Sequence, residues 1–493
     1  MPIAFDNGYA RLPERFYRRV MPTPVARPAL LQVNRALAEQ LGIDPDEVAS
    51  PTGVERLAGN GLFDGSTPIA LAYAGHQFGG FVPQLGDGRA ILIGEVVGRD
   101  GVRRDLQLKG AGPTPFSRRG DGRAALGPVL REYLLSEAMY ALGVPTTRAL
   151  AAVRTGEVVL RDDRLPGAVL TRVAVSHLRV GTFEYFAAKR DRDGLEQLTG
   201  YALERHYAQD ARRGAAEGKR PALTLLEAVI DAQARLVARW MGVGFVHGVM
   251  NTDNTSISGE TLDYGPAAFL DAYDPKRTFS SIDEHGRYAF ENQPPIALWN
   301  LARLAEALLP LIDDDEEQAV RVSTERLETF PKRFEAAHAA VLRRKLGLLE
   351  EREGDPALAD ELLQLMAAQG ADFTRTFRGL LEASTAQGED ALATHFTMPE
   401  PLRAWLARWR ARRAAEPSAP DTQREAMRTA NPAFIPRNHR VEQMIAAAIE
   451  GDLAPFERLL GVLARPYDEQ PDAAELALPP GDEQWGYRTF CGT

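Results

Sequence analysis

Two short stretches carry the residue types that chemistry on a polyphosphate needs: His247-Gly-Val-Met-Asn-Thr-Asp253-Asn254, and Leu262-Asp263-Tyr-Gly-Pro266. Asn254 and Asp263 offer hard oxygen donors suited to Mg2+ or Mn2+, ions that keep waters and bridge nucleotide phosphates. Asp253 is a carboxylate able to take a proton from an attacking hydroxyl. Upstream, Lys109 closes the β-type run Asp105-Leu-Gln-Leu-Lys109. In Gln84-Leu-Gly-Asp-Gly-Arg89, Gly86 and Gly88 let backbone N–H groups approach phosphate oxygens, and Arg89 adds a fork of donors. A second loop, Gly110-Ala-Gly-Pro-Thr-Pro-Phe-Ser-Arg-Arg-Gly-Asp-Gly-Arg123, combines four glycines with three arginines, a composition suited to an anion. Arg172 and Arg179 flank Ser176-His177 and can converge on one anion, although a surface ion pair is the ordinary fate of either alone.

These residues need a frame. From Pro68 to about Arg179, Gly-rich turns alternate with β-type runs at Ala90–Val97, Asp105–Lys109, Val158–Leu160 and Ala168–Val173. Helical spacing interrupts them over Leu126–Leu142, where Glu132 and Glu137 are both in reach of Lys109 and spacing does not choose between them. After Gly181 the pattern is mainly helical. Leu226, Val229, Ile230, Leu236, Val237 and Trp240 line one face of a helix ending near Gly242, a core stripe. Arg403, Arg408, Arg410, Arg412 and Arg413 with Trp405 and Trp409 read as a solvated face over two buried tryptophans.

Strand, strand with lysine, helix, then more strands is the order of a protein-kinase small lobe. The expected fold is therefore α+β and kinase-like, with a small β-rich lobe, a large helical lobe and a C-terminal helical extension. The boundaries fall at 1–65 for an N-terminal extension packing on the core, 66–180, 181–340 and 341–493. Kinases read H-R-D-x-x-x-x-N and then D-F-G. His247 and Asn254 keep the seven-residue offset and Asp263-Tyr-Gly265 replaces D-F-G, but Val249 stands where the catalytic aspartate belongs. Valine cannot accept a proton, so either the chain is no kinase or another carboxylate works, and Asp253 is the nearest substitute.

Composition narrows the classes. A chain of 493 residues, 44% apolar and 26% charged, is long enough for several packed cores. A net charge of −10 argues against a general nucleic-acid binder. Cys491 is the only cysteine, which rules out an internal disulfide and a cysteine-based zinc site. The eight histidines are scattered, no run of 18 apolar residues stands out, and the first residues do not form a signal peptide. The expectation is a cytoplasmic enzyme that does not engage a membrane; its oligomeric state is open.

The chain resembles the selenoprotein O family of protein adenylyltransferases, which carry a pseudokinase fold. The resemblance covers nearly the whole chain and rests on several long matches in one order. They are Tyr73-Ala-Gly-His-Gln-Phe-Gly79, Gln84-Leu-Gly-Asp-Gly88, Leu108-Lys-Gly-Ala-Gly112, Gly120-Asp-Gly-Arg123, the stretches His247–Asn254 and Asp263–Pro266, Asn292-Gln-Pro294 and Asn431-Pro-Ala-Phe-Ile-Pro-Arg-Asn-His439. It implies transfer of AMP from ATP to Ser, Thr or Tyr hydroxyls of protein substrates, with the nucleotide reversed relative to a kinase and pyrophosphate leaving. By this resemblance Gly86, Gly88, Arg89, Lys109, Asp121, Gly122, Arg172 and Arg179 contact ATP, and Glu132 pairs with Lys109. Asn254 and Asp263 hold Mg2+ or Mn2+, and Asp253 accepts the proton. Cys491 matches the family's C-terminal cysteine or selenocysteine, but the second cysteine of some members is missing, so redox control would need another molecule. The alternatives are a non-catalytic ATP-binding scaffold and a γ-phosphoryl-transferring kinase.

Overall fold

Runs of β-branched and aliphatic residues between glycine turns build the N-terminal part around one antiparallel sheet. The computed structural model of the chain describes residues 3–385, 388–481 and 487–489. The elements of this part are β1 (Tyr17–Arg19), β2 (Ala29–Val33), α1 (Arg35–Gln40), α2 (Pro45–Ala49), α3 (Pro51–Ala58), β3 (Ile69–Leu71), β4 (Gly75–Gln77), β5 (Gly80–Val82), β6 (Ala90–Val97), β7 (Arg103–Lys109), β8 (Ala124–Ala125), α4 (Leu126–Ala141), β9 (Arg148–Leu160) and β10 (Arg164–Ala174). The strand order is β1-β3-β6-β7-β10-β9-β2, with β8 also paired to β10, while β4 and β5 form a separate hairpin. Both outer strands come from the first 33 residues, where the residue pattern suggests only short helices.

Lys109 ends the central strand β7, between Ala90 of β6 and Leu170 of β10, and Arg172 lies opposite Gln107. Because side chains alternate with a period of two, Gln107, Lys109 and Arg172 share one face. That face receives α4. The other face carries Leu106, Leu108, Ile91 and Val169, which pack on Leu37, Leu41, Val54 and Leu57 of the N-terminal helical segment. α4 stops where Gly143 takes φ 75°, a left-handed exit that costs glycine little.

The remainder is largely helical. α5 (Val180–Ala188), α6 (Arg192–His206), α7 (Ala208–Ala216), α8 (Pro221–Gly242) and α9 (Gln293–Ile312) surround a short ribbon of β11 (Phe245–Val246) and β12 (Ala268–Phe269). The expected stripe on α8 is buried in the largest core cluster. Segment Phe290–Ile312 is long and apolar enough to cross a membrane by composition, yet Leu301, Leu304 and Leu308 are buried against α8 and its neighbours. Arg205 of α6 joins the two parts by reaching Glu95 of β6 at 2.7 Å and Asp105 of β7 at 2.5 Å, all three buried or nearly so.

Further helices run from Glu316 to Leu463. In helix Pro399–Ala414, Trp405 and Trp409 are fully buried and stacked, as expected, whereas the arginines are tied down: Arg412 pairs with Asp355 and Glu416, and Arg410 with Glu389. Helices Asn438–Ile449 and Ala454–Leu463 pack on α4. Cys491 lies outside the described residues.

Candidate active site

A cavity of about 330 Å³ opens between the sheet, the start of α4 and helix Asn438–Ile449. Arg89, Lys109, Glu132 and Asp263 line it together with the apolar Ala124, Pro128, Val129, Leu165 and Ile445 and with further charged groups such as Arg131, Arg161 and Glu442. The α4 glutamate left open by spacing is Glu132: its Oε2 takes the Lys109 ammonium at 2.5 Å, and its Oε1 takes Arg172 Nε at 2.6 Å. Glu137 points to the other side, paired with Arg148 and Asn34. Lys109 also meets Asp263 Oδ1 at 3.2 Å.

Burial alone would raise the carboxyl pKa of both acids, but the cations outweigh it. Arg172 and Lys109 hold Glu132 below the usual range, and Lys109, Arg172, Arg89 and Arg179 hold Asp263 far below it. Asp263 also sits at φ 69°, left-handed for a non-glycine residue, so the backbone itself turns this carboxylate toward the lysine.

Asp253 lies on a one-turn 3-10 segment, Thr252–Asn254, that follows the buried His247. Its Oδ2 accepts from Gln77 Nε2 at 3.2 Å, while Oδ1 is buried without a hydrogen-bond partner. Burial pushes its pKa up to about 6 against the lowering field of Arg179. Arg179 donates to the Asp253 carbonyl at 2.8 Å, faces Asp87 at 3.7 Å and lies over the Tyr73 ring. Val249, at the position of a kinase's aspartate, is buried, and its carbonyl accepts from Asn254 Nδ2 at 3.2 Å.

The hairpin β4–β5, which residue chemistry alone did not single out, caps this loop. The His76 N–H donates to Thr252 Oγ1 at 2.6 Å, and that hydroxyl donates to Glu184. The Phe78 N–H donates to Asn251 Oδ1 at 3.0 Å, which Tyr288 also engages at 2.6 Å. A β-carbon on Gly75 would stand 2.8 Å from Asp253 Oδ1, so only glycine admits the carboxylate there. Gln77, Glu184, Asn251 and Tyr288 are thus site residues not singled out from the sequence, although Gln77 lies in the run Tyr73–Gly79 and Asn251 in the run His247–Asn254.

The predicted glycines do a different job from the cations. Gly86, at φ 77°, faces the Phe116 ring, and a β-carbon there would lie 2.3 Å from it. A β-carbon on Gly88 would lie 2.9 Å from the Phe116 carbonyl. The two glycine-rich loops therefore pack on each other beside the cavity. Gly122 backs onto the Gly112 carbonyl, and the exposed Asp121 pairs with Arg161, which lines the cavity mouth, at 3.0 Å. Arg172 and Arg179 have different hydrogen-bond partners, Glu132 for the first and the Asp253 carbonyl for the second, while both lend positive charge to Asp263.

The motif ending in Arg437 braces the site from behind. Arg437 is fully buried and pairs with Asp271 and Asp372, each at 2.7 Å, while Asn438 bonds both backbone groups of Phe269.

Among the described residues no three His, Cys, Asp or Glu side chains gather as a metal cage. A Mg2+-type site does not need one, since such ions are commonly held by one or two side-chain oxygens with phosphates and water completing the shell. The ionised Asp263 carboxylate and the Asn254 amide oxygen are hard oxygen donors that fit such an ion, apart from the unpartnered Asp253 Oδ1.

The family described as "Protein adenylyltransferase SelO" matches residues 1–464. The "Protein nucleotidyltransferase YdiU" of Methylorubrum populi is 61% identical over 497 aligned residues, covering 99% of each chain. Proteins of the same name from Methylorubrum extorquens and a Bradyrhizobium species are 62% and 60% identical, again over 99% of each chain. The chain belongs to the SelO family of protein adenylyltransferases.

Proposed function

We propose that this chain transfers AMP from ATP to Ser, Thr or Tyr hydroxyls of protein substrates, on a kinase-like two-lobed fold in which the nucleotide lies reversed relative to a kinase. The observation that carries the reading is the pairing of an inert Val249 with Asp253. This carboxylate is buried, half-unpartnered and pushed up to about 6, a poise suited to a proton acceptor near neutral pH.

The acceptor hydroxyl oxygen attacks the α-phosphorus, the bond from that phosphorus to the bridging oxygen breaks, and pyrophosphate leaves. Asp253 Oδ1 takes the hydroxyl proton. Lys109, Arg89, Arg172 and Arg179 give the buried end of the site the positive charge a deeply placed γ-phosphate requires, and Glu132 keeps Lys109 and Arg172 oriented. Mg2+ or Mn2+, held by Asn254 and Asp263, would neutralise phosphate charge. The apolar side chains in the cavity lining suit the base.

The test is transfer from ATP labelled on the α- or the γ-phosphate, with Mg2+ or Mn2+ present. Protein-bound label from the α position alone supports the proposal. Label from γ alone makes the chain a kinase, and ATP binding without either makes it a scaffold.

A further inference from the structure

The surface beside Asp253 is unusually apolar for a site lined with charges. The tip of the hairpin that holds Asp253 presents Phe78 at 39% and Phe81 at 42% exposure, and Ile282 across the adjoining groove is 54% exposed. That groove of about 700 Å³ is lined by Phe78, Ile282, Arg287 and Ile296 with the acids Asp283 and Glu284, while Phe81 lies outside it on β5. Phe78 and Gly79 form the two-residue turn between β4 and β5, both with positive φ, 50° and 86°. Such turns favour Asn or Gly at the first position, and a bulky aromatic there is strained. The strain is held in place by the Asn251 bond to the Phe78 N–H and by the edge-on Tyr288 ring at 5.1 Å. His76 supports Phe81 from below at 4.9 Å. Core packing does not explain two exposed rings on a fixed tip, and neither ring lines the nucleotide cavity.

The groove also carries a cation. Arg287 stacks on Trp299 and Tyr288, forms no ion pair among the described residues, and keeps a buried Nε without a partner. Asp283, its neighbour in the groove, is spent on the Arg287 and Tyr288 N–H groups.

We propose that Phe78, Phe81, Ile282 and Arg287 form the docking surface for the acceptor protein. The segment it selects carries an apolar side chain and an acidic side chain close to the modified hydroxyl. This rests on the adenylyltransferase reading and names its substrate class. The argument is continuity: Gln77, which bonds Asp253, is the residue before Phe78, and the Phe78 N–H bonds Asn251 of the Asp253 loop, so the rings and the carboxylate are carried by the same hairpin. An apolar residue seated on them leaves water, and an acid facing Arg287 finds the one cation of the groove that lacks a carboxylate among the described residues.

The experiment uses the full chain, α-labelled ATP and a synthetic peptide library with a central Ser, Thr or Tyr. The expected result is enrichment of labelled peptides with an apolar and an acidic neighbour. Phe81→Ser and Ile282→Ser, both exposed changes, raise KM for a preferred peptide about tenfold each, with kcat and the KM for ATP within about twofold. Arg287→Glu moves the preference from Asp to Lys at the acidic position. Transfer that ignores the neighbouring residues, or an unchanged peptide KM in the serine variants, overturns the docking surface and leaves the adenylyltransferase reading standing. Absence of α-label transfer to any peptide or protein overturns both. A wild-type dimer that Phe81→Ser dissociates would assign the patch to a second copy and overturn it too.

Discussion

Asp253→Asn should abolish most of the activity and make the apo chain more stable. The carboxyl is raised by burial from an ordinary 3.8 to about 6. A group raised this way binds its proton more tightly folded than unfolded, so its contribution is fully present below pH 4 and is lost as pH rises through 6. A rise of that size corresponds to about 3 kcal/mol of destabilisation at pH 7.5, and about half of that remains at pH 5, where the unfolded carboxyl is still ionised. Asparagine keeps the shape and an acceptor for Gln77 but carries no charge. In EDTA and without nucleotide, denaturant unfolding should therefore show Asp253→Asn stabilised by about 2–3 kcal/mol at pH 7.5, with the gain shrinking toward pH 4. Transfer should fall by about 10²- to 10⁴-fold while ATP binding persists. A variant less stable than wild type at every pH would refute the reasoning, because it would show that the ionised carboxylate supports the fold.

Asp263→Ala should remove metal-dependent transfer and leave the Lys109 ammonium with Glu132 alone; full activity would take Asp263 out of the site. Glu132→Gln strands the buried Arg172 and leaves Lys109 with Asp263 alone, and unfolding measurements should show a loss of about 3–5 kcal/mol. Gly75→Ala should cost transfer about 100-fold through displacement of Asp253, with the ATP dissociation constant, read by calorimetry, unchanged.

Much of the site was legible because it lies in runs whose local pattern survives folding. The strand ending in Lys109 and the helix over Leu126–Leu142 appear within a residue or two of their expected ends, since period-two and period-3.6 patterns are local. Glu132 was not separable from Glu137, because that choice is made by which face of α4 meets the sheet and which meets Arg148. The hairpin over Asp253 was invisible for a similar reason: Gln77 and Asp253 are far apart in sequence, and only the packed chain brings them to 3.2 Å. The edge strands β1 and β2 were missed because they are short, proline-flanked and defined by their partners rather than by their own residues.

Those edge strands also set the order in which the chain can be made. β1 must wait for β3, and β2, at residues 29–33, pairs with β9 at residues 151–154. β2 therefore stays unpaired until β9 has been made, whereas β1 needs only β3. Long-range pairings of this kind slow folding and leave unpaired strand edges available to other chains in the meantime. Removing residues 17–33 would leave the outer edges of β3 and β9 unpaired for good, so this segment closes both margins of the finished sheet.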